Sequence, residues 1–148
     1  MINKKPVNKK TRVTRPVFEK FTFKKLATQI ESTEASVYRY FENKHKLLVY
    51  IISWYWVWLE FQLSFRTNNI KSPTERLKII IKILSESQRD DPDTDLNEAA
   101  LYRIVVSESS KVYLTKDVDA ANKDGLYREY KKLCKIIAEV ILEINPTY

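Results

Sequence analysis

A single glycine, a single cysteine and a single histidine in 148 residues exclude more chemistry than any motif in this chain supplies. One glycine leaves no glycine-rich loop to cradle a phosphate, and with five prolines it gives too few tight turns for a β-sandwich or barrel. One histidine rules out His-based metal clusters and leaves a Cys-His dyad without support, so no catalytic residue, metal ligand or cofactor is expected and the chain is not read as an enzyme. One cysteine rules out an intramolecular disulfide, and Cys134 is expected as a small core residue. Asp91, Asp93 and Asp95 open like a calcium loop, but Leu96 stands where the sharp turn needs glycine and Tyr102 where a bidentate glutamate is needed. No apolar run follows the basic N-terminus, so no signal peptide is expected. The longest uncharged apolar run, Leu47 to Leu59, has 13 residues, short of the roughly 20 that span a bilayer. A cytoplasmic protein is the expectation.

What is present points to helices. With 44% hydrophobic residues the chain can bury a core, and few breakers over long amphipathic stretches predict an all-α fold. Charge is placed unevenly. Residues 1–46 hold 12 Lys and Arg against 4 Asp and Glu, a net of +8, whereas residues 47–148 hold 14 against 15, a net of −1. The excess positive charge therefore sits at one end, and a polyanion is the natural partner for it, the alternative being a solvated basic tail.

That basic end contains FTFKKLATQIESTEASVYRYFENKHKLL, residues 21–48. Thr22 is a candidate N-cap for a short helix burying Leu26, Ala27 and Ile30. Glu31, Ser32 and Thr33 interrupt it, and Thr33 can cap a second helix from Glu34 to Phe41 with Val37 and Phe41 facing inward. Asn43 can cap a third, with His45, between Lys44 and Lys46, on the surface. The pattern is a helix-turn-helix. LATQIESTEASVYRYFENKHKLL resembles the DNA-binding motif of the TetR/AcrR family of bacterial transcriptional regulators in its Leu-Ala opening, its aromatic Tyr-x-Tyr-Phe exit and its Asn-Lys step into the next helix. It departs at Glu31, where the family usually has the turn glycine, and at Ser32, where an apolar residue is usual. A positive φ at Glu31 would cost on the order of 1 kcal/mol.

The resemblance implies a helix-turn-helix DNA-binding domain over residues 1–46 and a helical regulatory, ligand-binding domain over 47–148. It implies a transcription regulator, a repressor in type, that holds a near-palindromic operator as a homodimer. Carried over position by position, Glu34, Ala35, Ser36 and Arg39 become candidate base or groove contacts, and Thr22, Lys24, Thr33, Tyr38, Tyr40 and Lys44 candidate phosphate contacts. Lys44 would combine a cation with the backbone N–H groups of a helix N-terminus. Trp54, Tyr55 and Trp58, on a long helix from Lys44 to about Phe65, and Tyr102 beyond it are candidate lining for a small hydrophobic ligand, against simple core packing.

Residues 1–20 show no helical spacing and are expected to be mostly irregular, without the amphipathic helix that usually precedes such a motif. Ser72, Pro73 and Glu75 mark a strong helix start, with Leu77, Ile80, Ile81 and Leu84 as its buried stripe. Asp95 and Glu98 form a second capping box ahead of Leu101, Ile104 and Val105, and a break is expected within Ser107 to Lys116. The last helix should start near Gly125 and run to Ile144, burying Leu126, Tyr130, Leu133, Ile137, Val140 or Ile141, and Ile144. The family's dimer bundle of two further C-terminal helices is expected to be missing. Self-association would then fall to the last helix or to aromatics between Trp54 and Phe61. Two other functions fit the composition less well: a small-molecule or protein-binding module with a vestigial helix-turn-helix, and a membrane-surface protein.

Overall fold

The computed structural model describes residues 17–86, 98–114, 122, 123, 125 and 127–148. All regular structure among them is helical: a 3-10 turn over Val17–Lys20, then α1 (Phe23–Gln29), α2 (Glu34–Tyr40), α3 (Lys44–Thr67), α4 (Pro73–Glu86), α5 (Glu98–Tyr113) and α6 (Arg128–Ile144). The expected all-α fold is therefore the observed one.

Three side-chain caps start the first three helices where the sequence places them. Thr22 Oγ1 accepts from the Lys25 amide at 3.2 Å, Thr33 Oγ1 from the Ser36 amide at 3.2 Å, and Asn43 Oδ1 from the Lys46 amide at 2.9 Å. Each satisfies one of the orphan donors of a helix N-terminus. Ser72 Oγ accepts from the Glu75 amide at 3.4 Å, but the Glu75 carboxylate turns to Lys78 Nζ at 2.8 Å, where a capping box was expected.

Packing separates two apolar clusters that share one helix. Phe23, Ala27, Val37 and Leu47 form the smaller, with Phe21, Leu26, Phe41 and Ile51 against it. The larger takes Leu48, Ile52, Tyr55, Leu59 and Leu63 from α3, Ile80 and Ile83 from α4, Leu101, Val105 and Val112 from α5, and Leu133 and Val140 from α6. α3 runs through the middle, in contact with α4, α5 and α6, and Ile51 packs against both clusters. A bidentate ion pair from Arg76 to Glu143 ties α4 to α6.

Expectations for α4 and α6 are corrected by this packing. In α4, Ile80 and Ile83 are buried whereas Ile81 and Leu84 are exposed. Leu77, Ile79, Ile80, Ile81, Ile83 and Leu84 cover a wide arc of that helix, so spacing alone does not fix which part of it faces inward. The break expected within Ser107 to Lys116 falls after Tyr113, where α5 ends; up to there Leu101, Val105, Glu108 and Val112 are buried at four- and three-residue steps that carry the inward stripe through Ser107. Glu108 takes a core position there, its carboxylate 2.8 Å from Lys111 Nζ at the rim. In α6, Leu133 takes the inward position and its neighbour Cys134 is exposed, as are Tyr130 and Ile144. Val17–Lys20 form a 3-10 turn at the end of the stretch expected to be mostly irregular. Residues 1–16, Asp91, Asp93, Asp95 and Leu126 lie outside the described residues.

The α1–α2 connection has the geometry of a Schellman motif. Glu31 has φ +52°, its amide donates to Thr28 O at 3.3 Å, and the Ser32 amide donates to Ala27 O at 2.8 Å. The residue in that left-handed position is glycine in most such motifs, and the next residue usually adds an apolar contact that Ser32 does not. Glu31→Gly is therefore expected to raise stability by about 0.5–1 kcal/mol. Chemical denaturation checks this; an unchanged or lower midpoint would mean that the Glu31 backbone is not strained.

Candidate nucleic-acid interface

α2 buries one residue, Val37, and is otherwise turned outward. Glu34, Ala35, Arg39 and Tyr40 are exposed along it. Val37 lies in the smaller cluster opposite Phe23 and Ala27, which fixes the helix against α1 and leaves this outer face accessible. The Tyr38 ring packs edge-on to Phe23, 4.8 Å between centroids, yet half of Tyr38 stays exposed. Its packing and its accessibility are thus compatible, and neither excludes a contact through the ring edge or hydroxyl.

Three of the candidate contacts are already engaged locally. Thr33 Oγ1 caps α2 and lies 2.9 Å from Ser36 Oγ, so any ligand contact at this pair would be shared with the cap. Thr22 is in the same position at α1. Lys24 is exposed on α1. Lys44, at the first position of α3, places Nζ 5.3 Å from the Phe18 ring centroid, a cation-π contact that holds the ammonium beside the N-terminal turn. Thr22, Lys24, Thr33, Glu34, Ala35, Ser36, Tyr38, Arg39, Tyr40 and Lys44 all belong to α1, α2, their caps or the first residue of α3, and so occupy one end of the molecule.

Among the described residues, Trp54 and the other three candidate ligand residues fall in different surroundings. Tyr55 is buried in the large cluster, with ring centroids 6.0 Å from Trp58 and 6.5 Å from Tyr102. Trp54 instead lines an open cleft of about 250 Å³ with Tyr50, Ile51 and Leu101. A tighter apolar cavity of about 100 Å³ lies between the two clusters, walled by Phe18, Phe21, Leu47, Ile51, Ile104 and Glu108. It is smaller than the roughly 300–1,000 Å³ of typical small-molecule sites. Glu108 gives no signal in the sequence, where it stands in the polar run Ser107 to Lys111.

No protein-family model matches this chain, and no curated protein or solved structure matches it.

Among the described residues no cluster of histidine, cysteine and carboxylate side chains is arranged to hold a metal, and no helix is long and apolar enough to cross a membrane. A second cationic surface does exist, a shallow groove of about 410 Å³ edged by Arg128, Lys131, Lys132 and Lys135 on α6. Part of its charge is answered from within. Arg128 and Lys132 both bond Glu129, holding that carboxyl below its ordinary range, Lys135 pairs with Glu139, and Lys131 donates to Asn122 Oδ1. The i, i+3, i+4, i+7 spacing of these cations was legible in the sequence as one helix face. Nearby, burial and the neighbouring tyrosines raise the Tyr113 hydroxyl against a bond from Trp56 Nε1, which donates to it at 2.6 Å.

Cap and surface roles separate in a simple comparison. Thr33→Ala should lower stability by about 1 kcal/mol through loss of the α2 cap, whereas Arg39→Ala should stay within about 0.5 kcal/mol of the parent. Thermal melts of the two variants are the measurement, and equal losses would refute the division of roles drawn for α2.

Proposed function

We propose that this chain is a TetR-like DNA-binding transcription regulator, in which α1, the Glu31 turn and α2 act as a helix-turn-helix and α2 enters the major groove. The observation that carries the reading is a helix fixed by a single inward valine beside a capped turn, its outer face lined with Ala35, Arg39 and Tyr40 and flanked by Lys44. A second support is charge, since residues 1–46 carry a net of +8 against −1 for the rest. Lysine and arginine that neutralise phosphates release counterions, which makes such an end favourable for duplex DNA whatever its sequence. Sequence discrimination is assigned to Arg39, which can donate two hydrogen bonds to guanine, and to Ala35 and Ser36 at the helix start. Glu34 would accept from a cytosine amino group, and it also suits the positive end of the helix dipole.

One head makes few contacts, so the reading includes a two-fold pair of chains on a near-palindromic operator. Residues 47–148 would form the regulatory part. A small hydrophobic ligand there would act by favouring one spacing of the two heads over another, which requires it to bind the two arrangements unequally.

Duplex binding measured across a salt series tests the proposal. Affinity should fall steeply with salt, Lys44→Ala should weaken binding equally on all sequences and reduce the log-log salt slope by about 1, and Arg39→Ala should relax preference at particular base pairs. Helicity of the Lys44 variant is checked alongside, because its side chain also rests on Phe18. Salt-independent affinity would overturn the phosphate assignments, and absence of binding would favour the vestigial-motif alternative.

A further inference from the structure

α3 is apolar on the side that faces away from the core. Tyr50, Trp54, Val57, Phe61 and Phe65 are 56%, 39%, 43%, 61% and 71% exposed. At about 100° per residue they form one continuous stripe, opposite the buried stripe of Leu48, Ile52, Tyr55, Leu59 and Leu63. The steps of four, three, four and four residues are those by which one helix presents a seam to another. The exposed stripe contains no charged residue, so nothing along it would be desolvated unpaired or repel a like surface. A monomer seldom exposes so long an apolar row without a use for it.

We propose that this stripe is the contact between two copies of the chain, with the two α3 helices packed antiparallel across a two-fold axis near Val57. Two features select a second copy, and that orientation, over other occupants. The stripe is symmetric about the point between Val57 and Trp58: Tyr50 and Phe65 are equally distant from it, as are Trp54 and Phe61. Its halves are also complementary. The N-terminal half borders the cleft of about 250 Å³ lined by Tyr50, Ile51, Trp54 and Leu101. The C-terminal half presents Phe61 and Phe65 as projecting rings stacked on each other at 5.8 Å. Reversal of one copy brings the rings of each to the cleft of the other, twice. At about 150–250 Å² per fully buried aromatic, these exposed fractions amount to roughly 500 Å² per copy and about 1,000 Å² for the pair, the lower end of specific interfaces.

The interface stands without the nucleic-acid reading, but it has a consequence for it. Lys44 lies between 13 and 14 residues from the axis, so the two α3 N-termini would be roughly 40 Å apart at 1.5 Å per residue. That is close to the about 34–36 Å between successive major grooves on one side of a duplex.

Sedimentation equilibrium of the full chain, free of DNA, should give twice the 17.6 kDa chain mass at high concentration and dissociate on dilution. Phe61→Glu should shift it to monomer with unchanged helicity, because Phe61 is largely outside the fold's own core. In a Cys134→Ser background, Val57→Cys should link to itself on mild oxidation and Phe65→Cys should not. Monomer at every concentration would overturn the proposal, as would a dimer that persists in Phe61→Glu. Equal linkage at both cysteine positions would overturn the antiparallel arrangement. Absence of duplex binding by a chain that still dimerises would count against the nucleic-acid reading alone.

Discussion

One helix serves two cores, and the rest of the structure depends on it. Leu47 packs into the cluster with Phe23, Ala27 and Val37, while Leu48, the next residue, packs into the cluster with α4, α5 and α6. Because successive positions on a helix differ by a fixed rotation, those two contacts set the angle at which the head projects from the body. Ile51 adds a third point that touches both. An uncharged run from Leu47 to Leu59 can do this where an ordinary amphipathic helix could not, since two of its sides face different cores. The head therefore has little core of its own, and its position is held mainly through α3.

That arrangement gives physical content to the proposed regulator. In that reading a shift of the body cluster at Ile51 would reach the cluster that holds α2 through Leu47, about one helical turn away. The cavity of about 100 Å³ lies at this joint, with Phe21 and Leu47 from the head cluster and Phe18, Ile104 and Glu108 on the body side. Packing is incomplete there, so small rotations of the head meet less resistance at the joint than they would in a close-packed core. Glu108 sits at the same place, a buried carboxylate held by Lys111 at the rim. The charge asymmetry completes the picture, since three of the four cations on the α6 groove pair with Glu129 or Glu139 whereas those of the N-terminal third are in excess.

Much of the head was legible from the sequence, and less of the body. Thr22, Thr33 and Asn43 were identifiable as caps because capping is a local rule that needs only the neighbouring backbone. Glu31 was identifiable as the odd residue of the turn through the glycine usually found there, and its left-handed backbone is what the structure shows. The inward faces of α4 and α6 were not readable with the same certainty. Ile79, Ile80, Ile81, Ile83 and Leu84 offer several stripes of similar quality, and only the positions of α3 and α6 decide among them. Glu108 was hidden for the opposite reason: a charged side chain in a polar run gives no sign of burial when the stem fills a core position and the head group finds an ion-pair partner. The exposed stripe of α3 was visible as aromatics, but its outward direction was known only once the buried stripe was fixed.

The central claim is that α2 and its flanking caps form the surface that meets DNA. Backbone amide chemical shifts of the full chain, followed as duplex DNA of mixed sequence is added, map that surface without assuming an operator. The account predicts changes concentrated in residues 33–40 and at Lys44, fading as salt is raised. Changes confined to the α6 groove at Arg128, Lys131, Lys132 and Lys135, or none at all, would contradict it.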